Sequence, residues 1–508
     1  MANESQISSF YAGKKILITG GTGTLGKVLI WKLLQSCPEV DSVYVLMRPK
    51  HGKDSMSRKE ELFSLPIFEN FKTNNPKVLD KVKFISGDVG EEGIGLSVKD
   101  RDMLIDEVSV VFHSAAVLKM DANLRTAVNV NTVGTARMLD VAQQMKRLEA
   151  FVHVSTAFCC CENHTVEEKI YPAKHNPQDI IDLTQWMEPE VLEQLTSKLI
   201  HPLPNTYIYS KRLTEALLHN YESKVPIIVA RPSIVVPAIE EPLPGWNDSL
   251  NGPVGLFTAG GTGIMRTSLT TNVNVKSDVI PVDIAINSIL TLPWANSKEQ
   301  LLKEISVYNI TQTAYDEMVW GEIIQLFLNA VQKYPFDKML WYPSSDPFSN
   351  NIVIYTIKCI FLHYLPAYLI DFILLLVGQK PFVVRVHDKL RQGEKVLRFF
   401  TQQQWTFLHD KVLQIEGLLN DADKRIFPIN MNIIMDIQKY AENATIGVKI
   451  FIFKEDMKNL NTAKKKATIM YVLDKITLVL KYFILWKILL SVFNAVLHIF
   501  QVNLLETK

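Results

Sequence analysis

The amino-acid sequence predicts an α/β protein, a doubly wound parallel sheet with a small lobe, followed by a mainly helical C-terminal part and an apolar tail. Three observations predict it. Short Val- and Ile-rich runs alternate with helix-like stretches from Lys14 onward. A glycine-rich turn follows the first run directly and opens a helix. After about residue 345 the alternation stops and helix-like segments dominate. Continuous apolar strands separated by helices imply a parallel sheet covered on both faces.

The elements follow in order. Lys15–Thr19 reads as a strand, Thr24–Leu34 as a helix and Ser42–Leu46 as a second strand. The stretch from Arg48 to Lys81 exceeds a usual crossover and is expected to carry its own helix. Val82–Ser86, Val108–His113, Phe151–Ser155 and Ile227–Arg231 supply four further strands. Pro237–Met265, rich in Pro and Gly, reads as a loop-rich lobe above the C-terminal edge of the sheet. Pro343, Ser344, Ser345 and Pro347 mark a boundary, dividing the chain into 1–345, 346–463 and a tail of 464–508.

Composition narrows the class. At 508 residues, two or three structural units are expected. The formal net charge is +1, which offers no electrostatic case for nucleic acid. The mean hydropathy of +0.08 is slightly high, and the excess concentrates at 351–377 and 469–505. Of five cysteines, Cys159, Cys160 and Cys161 are adjacent, which suits neither a disulfide framework nor a zinc site. No metal is expected, and a reducing compartment fits. The N-terminal MANESQISSFYAGKK lacks the apolar core of a secretory signal.

The glycine turn carries the first chemistry. Gly20, Gly23 and Gly26 are spaced by three, with Thr22, Thr24 and Leu25 between them. The first glycine allows the tight turn, the second lets the backbone approach a diphosphate, and the third permits close packing of helix on strand. The helix N-terminus then faces the anion, as in a Rossmann-type dinucleotide site. A Gly-rich turn without a ligand is the bland alternative, and the strand–turn–helix context weighs against it. At the end of the second strand, where an NAD enzyme carries Asp or Glu for the ribose 2′-hydroxyl, the chain reads Met47-Arg48-Pro49-Lys50. Arg48 with Lys50 suits a 2′-phosphate, so NADPH is the expected cofactor.

Asn205-Thr-Tyr-Ile-Tyr-Ser-Lys211 places Tyr207 and Lys211 at i and i+4, on one helix face. An ammonium there favours phenolate and lets the hydroxyl exchange a proton with a carbonyl oxygen. Alone the pair is weak, because such spacings arise by chance. Its position after the glycine turn and after Val154-Ser155-Thr156-Ala157 gives it weight. Tyr209 is followed at i+4 by Leu213 and has no such partner.

With these marks, and with Gly87-Asp88-Val89, Phe112-His-Ser-Ala-Ala116, Asn131 and Arg231-Pro232-Ser233, the chain resembles the extended short-chain dehydrogenase/reductases. The resemblance implies that Asp88 and Val89 lie at the adenine, and that Ala115 and Pro232 lie along the cofactor. It also implies that Thr156 bonds the substrate carbonyl, with Ser155 as the fallback one residue earlier. Lys211 would also hold the nicotinamide ribose, with Asn131 supporting the lysine through water. A narrower resemblance covers nearly the whole chain, to the alcohol-forming fatty acyl-CoA reductases of animals. It rests on Phe10-Tyr-Ala-Gly-Lys-Lys-Ile-Leu-Ile-Thr-Gly20, Val152-His-Val-Ser-Thr-Ala-Phe158, Gly245-Trp246, Asn251-Gly-Pro-Val-Gly255 and Val279-Ile-Pro-Val-Asp283. Further on, Gly378-Gln-Lys-Pro381 and Phe399-Phe-Thr-Gln402 with Trp405 are similar to that family's C-terminal domain. Phe158 departs from the commoner Tyr.

This family resemblance implies reduction of long-chain acyl-CoA to primary alcohol by two hydride transfers through an aldehyde. Competing readings are an aldehyde-forming acyl-CoA reductase, a membrane-bound reductase of 3β-hydroxysteroid dehydrogenase type, and a non-catalytic NADP-binding scaffold. A covalent acyl-cysteine at Cys159–Cys161 is a further rival, against which small apolar packing is the commoner role.

Lys358, His363, Pro366 and Asp371 interrupt the apolar stretch Ile352–Val377, which reads as a broken helical hairpin. The tail Ile476–Leu505 is long enough to cross a bilayer. Lys487, Ser491, Asn494, His498 and Gln501 fall on one stripe, which suits an interfacial helix with Lys464–Lys466 available to anionic headgroups, whereas the family resemblance implies a span; a helix docked on its own protein or a dimer partner is the bland alternative. Membrane lipid is therefore an expected partner, at the endoplasmic reticulum, peroxisome or lipid droplet, with the catalytic part in the cytosol. The sequence leaves a homo-oligomer open.

Overall fold

The computed structural model describes residues 4–48, 55–270, 272–299, 304–312, 318–345, 347–430 and 436–506. Lys50, one of the two cations read for a 2′-phosphate, lies outside them. Seven parallel strands form the main sheet: β1 (Lys15–Thr19), β2 (Ser42–Met47), β3 (Val82–Ser86), β4 (Val110–His113), β5 (Ala150–Val154), β6 (Ile227–Pro232) and β7 (Ser306–Ile310). Their order is β3-β2-β1-β4-β5-β6-β7, which reverses direction of growth between β1 and β4. Ligands bind in the crevice at such a switch point. Register is direct, with Ile18 opposite Val45 on one side and Phe112 on the other.

Alternation assigns side chains to two cores. Ile16, Ile18, Val43, Val45 and Phe112 pack on one face, while Leu17, Tyr44, Leu46, Val111 and Phe151 pack on the other. Six of the strands fall where the sequence predicts them. The seventh, β7, was not predicted, because Ser306 and Asn309 interrupt its apolar run. Asn309 is fully buried and donates to the carbonyls of Val166 (3.0 Å) and Leu408 (2.7 Å), so its polarity ties the edge strand down.

Helix α1 (Gln6–Tyr11) precedes β1, and α2 (Thr24–Ser36) follows it. Helix α3 (Thr206–Leu218) carries the Tyr/Lys pair and lies between β5 and β6. Within the Pro/Gly-rich lobe, α4 (Pro253–Gly261) forms with Pro253 in its first turn. A short parallel pair, Ile234–Val236 with Val279–Pro281, floors that lobe. Beyond it come α5 (Trp320–Lys333), α6 (Ile352–Leu376), α7 (Val383–Thr401), α8 (Ile437–Gly447) and α9 (Leu460–Glu506).

One expectation is overturned. Ile352–Leu376 is one continuous helix with a mean hydropathy of 2.0, where the sequence predicted a broken hairpin. A π turn at Ile360–Tyr364 precedes Pro366 and accommodates its missing N–H without a break. Two of the interrupting residues, His363 and Asp371, lie on the face turned to the protein. Tyr355, Cys359, His363 and Asp371 are buried against the protein, whereas Ile357, Phe361, Leu369, Phe372 and Leu376 are exposed. Asp371 caps α7, accepting from the N–H groups of Phe382, Val383 (both 2.9 Å) and Val384 (3.0 Å). Tyr355 donates to Glu394 of α7 at 2.6 Å.

Helix α9 holds a second apolar stretch, in which an 18-residue window reaches a mean hydropathy of 1.9. Its base is fixed by Asp474, which accepts from Arg266 (2.5 Å) and from the indole of Trp341 (2.8 Å). Lys466 donates to the Asp337 carbonyl at 2.8 Å, so this member of the basic triplet turns back to the protein. The side chains of His498 and Gln501 lie outside the described residues.

Candidate active site

The ends of β1, β5 and β6 and the start of α3 enclose a cleft of about 1000 Å³. Gly20, Gly23, Thr24, Leu25 and Gly26 form one end of it, and Ser155, Thr156, Tyr207, Lys211 and Pro232 form the other. The predicted glycine turn and the predicted Tyr/Lys pair, nearly 200 residues apart in the chain, therefore share one cavity.

The turn fits a dinucleotide diphosphate. Gly20 has φ +74°, and a Cβ there would stand 2.7 Å from the backbone nitrogen of Ala115. Side-chain-free backbone is thus required, and Ala115 packs directly against the turn. At Gly23 a Cβ would meet only the Gly20 carbonyl, at 3.3 Å, so the space before α2 is open. Gly23 is also the N-cap and supplies no side-chain bond, which leaves first-turn N–H groups facing that space. In the same cleft the Ser233 hydroxyl is buried and, among the described residues, has no protein partner.

Other predicted cofactor residues lie outside the cleft. Arg48 follows β2 with an exposed side chain, and Arg58, not foreseen, donates its guanidinium to the Arg48 carbonyl. Two cations therefore stand at the strand end where the sequence lacks an acid. Asp88 and Val89 follow β3, and Asp88 accepts from the Gly90 N–H at 2.9 Å. Thr22 is exposed on the turn. Asn131 is buried in a π turn; it accepts from the Val117 N–H (2.7 Å) and donates to Ser210 (2.9 Å).

Tyr207 and Lys211 project from successive turns of α3, whose N-cap Asn205 accepts from the Ile208 N–H at 2.9 Å. Lys211 is buried and donates to the Val154 carbonyl at 2.7 Å. Burial pushes its ammonium down to about 8, opposed by the negative charge of Glu215. The sequence led us to expect a Tyr207 phenol lowered by this lysine. Instead burial, with Cys159 close by, pushes the phenol up, so it keeps its proton here. Tyr209 cannot compete, because its hydroxyl is paired with His175 at 2.8 Å.

Beneath the cleft lies a buried network that sequence reasoning missed. Glu215 pairs with Arg231 at 2.5 Å, and neither side chain has any exposure. The Ser155 hydroxyl donates to Glu215 at 2.5 Å, and the Cys159 thiol donates to it at 3.1 Å. Thr156 lies outside this network, its oxygen accepting from the Phe158 N–H at 3.3 Å. A sign was present in the sequence: Tyr207, Lys211 and Glu215 recur every four residues along one face. Cys159, Cys160 and Cys161 are all buried. Burial raises the Cys159 thiol and pushes Cys161 up to about 12, so these two are not the thiolates an acyl-cysteine scheme needs. Phe158 packs edge-on against Phe400, Trp405 and Phe407.

Asp248, in the lobe, was also not foreseen. It accepts from Thr24 (2.6 Å) and Lys27 (2.5 Å), strapping the lobe to the start of α2.

Residues 18–289 match an NAD-binding family model described as "Male sterility protein", and residues 362–455 match a "Sterile" model of the same description. Among curated proteins, the chain is similar to fatty acyl-CoA reductase 1 of Rattus norvegicus. They are 38% identical over 459 residues, covering 90% of this chain and 88% of that one. It is similar also to fatty acyl-CoA reductase 2 of Bos taurus, 34% identical over 96% of this chain and 94% of that one. A putative fatty acyl-CoA reductase of Drosophila melanogaster is 35% identical, with 92% and 91% covered. Among solved structures, the terminal R domain of the myxalamid PKS-NRPS pathway aligns over 87% of this chain and 92% of that one. Its TM-score is 0.55 at 17% identity. The reductase domain of a nonribosomal peptide synthetase from Mycobacterium tuberculosis gives 0.54 at 16%, over 86% and 92%. Those two likenesses concern the fold. The NAD-binding match supports a nicotinamide cofactor for this chain.

Proposed function

The chain belongs to the fatty acyl-CoA reductase family, and on that premise we propose that it reduces long-chain fatty acyl-CoA to primary alcohol, with NADPH as reductant. The observation that carries the reading is the single cleft shared by Gly20, Gly23, Thr156, Tyr207 and Lys211. Arg48 and Arg58 support NADPH, since guanidinium groups suit a 2′-phosphate.

With its diphosphate held at the glycine turn, a reduced nicotinamide dinucleotide would supply hydride for the thioester carbonyl carbon. As the carbonyl oxygen gains charge, the hydroxyls of Tyr207 and Thr156 donate to it. Collapse of the resulting thiohemiacetal breaks the C–S bond and releases CoA as thiolate, leaving the aldehyde. The aldehyde oxygen meets the same two donors in the second reduction, and Tyr207 gives its proton to the alkoxide. Lys211 lends positive charge beside the phenol while Val154 fixes its position. By the same reading Ala115 and Pro232 flank the cofactor, Asp88 and Val89 border its adenine, and Asn131 supports the lysine.

Residues 1–345 form the reductase unit, 346–463 the helical unit and 464–508 the tail. The exposed apolar faces of α6 and α9 hold the protein on a membrane of the endoplasmic reticulum, peroxisome or lipid droplet, with the catalytic unit in the cytosol.

Purified protein given NADPH and acyl-CoAs of graded length should consume two NADPH per CoA released and yield alcohol. One NADPH per CoA would make it an aldehyde-forming enzyme, and undiminished turnover by Tyr207→Phe would remove Tyr207 as donor.

A further inference from the structure

Next to the catalytic cleft lies a second cavity of about 780 Å³, between α5 and α8. Its wall is apolar, including Leu326, Phe327, Ile437, Ala441 and Ala444. The phenol of Tyr440 is the polar group there, and it is satisfied by donating to the Pro237 carbonyl at 2.7 Å. Val236 and Val254 line this cavity and the catalytic cleft alike, so the two spaces adjoin at those side chains.

Resting on the acyl-CoA reading above, we infer that the fatty acyl chain passes between Val236 and Val254 into this cavity, and that α8 is the wall that sets how much chain is accepted. The occupant must be apolar, because among the described residues no polar group on the wall is left to pair with it. The wall is also firm. A Cβ at Gly245 would strike the Asn443 carbonyl, and one at Gly447 would strike the Gly245 carbonyl, so α8 meets the lobe backbone to backbone. Lys333 of α5 pairs with Glu442 of α8 at 2.7 Å across the cavity's two walls.

A neighbouring cavity of about 890 Å³ is the competing route. Phe257 and Phe327 line both cavities and stand between them. Among the described residues, the competitor shares no lining residue with the catalytic cleft. It also contains Glu394 and Arg398, whose charges disfavour an alkyl chain.

Two measurements on the full chain in detergent decide the matter. Palmitoyl-CoA carrying a diazirine at its terminal carbons should, on irradiation, label peptides of α5 or α8, and unlabelled palmitoyl-CoA should suppress the labelling. Adducts confined to Leu397–Thr401, adducts on the outer face of α6, or no suppressible adduct would each overturn the inference. This arm needs no turnover, so it stands even if the protein reduces no acyl-CoA, which would instead refute the proposed function. In the second arm, Ala441→Phe and Ala444→Phe should lower kcat/KM for palmitoyl-CoA against octanoyl-CoA by about fourfold per methylene shut out. Leu326→Ala, which opens space, should shift the preference toward longer chains. An unchanged chain-length profile in all three variants would overturn the inference.

Discussion

The Ser155 hydroxyl donates to the Glu215 carboxylate at 2.5 Å, with both side chains buried. Ser155 and Thr156 are adjacent and both line the cleft. The carboxylate commits the serine to the interior, while the next hydroxyl stays out of that network. Two neighbouring hydroxyls are thereby given different tasks.

Exchange of each for alanine should therefore give different outcomes. Thr156→Ala should lower kcat by about 10²–10³, the usual loss of one oxyanion donor, with little change in melting temperature. Ser155→Ala should act chiefly on stability, by about 1–3 kcal/mol, because a buried acceptor loses its donor. Steady-state kinetics beside thermal unfolding separates the two, and the reverse pattern would exchange their roles.

Lys211 gives a pH signature. Burial holds its ammonium at about 8, below the ordinary 10.5. The ammonium is lost from the free enzyme as pH rises through about 8, so kcat/KM should fall there. Lys211→Arg, whose charge persists, should remove that alkaline limb. The stability sign is opposite: the cost of burying the charge is complete below about 8 and is relieved as pH rises toward 10.5, because the unfolded chain then binds more protons than the folded one.

The buried Glu215–Arg231 pair should be costly to break from one side. Glu215→Ala strands the guanidinium in the core, and a loss of about 3–5 kcal/mol is expected in denaturant unfolding. Loss of less than about 1 kcal/mol would mean that water reaches Arg231.

Much of this was legible in the sequence. Short continuous apolar runs mark buried strands whatever their partners, so six of the main sheet's seven strands, the glycine turn and the Tyr/Lys face were evident. What escaped depends on contacts distant in sequence. Asn309 looks like a strand breaker until Val166 and Leu408 accept its bonds. Asp248 reads as a loop acid until Thr24 and Lys27 meet it. The expected hairpin at Pro366 failed for a local reason, because a π turn absorbs what would otherwise kink the helix.

The outer face of α6 should govern membrane attachment. Phe361 and Leu369 are about 60% exposed, so Phe361→Asp with Leu369→Asp should leave the fold intact. Each charge disfavours the apolar phase by about 2.5–3.5 kcal/mol at its centre. Flotation with phospholipid vesicles should show a smaller bound fraction than for the unaltered protein, and an equal fraction would assign attachment to α9 alone.

Asp423 accepts from the Ser5 hydroxyl at 2.6 Å and from the N–H groups of Gln6 and Ile7, across 418 residues of chain. On a translating ribosome the first helix emerges long before that carboxylate exists. Until then it is held by earlier partners alone, such as the Leu290 carbonyl that accepts from Tyr11. Nascent chains arrested before residue 423 should therefore leave the start of α1 more open to protease than chains arrested well beyond it.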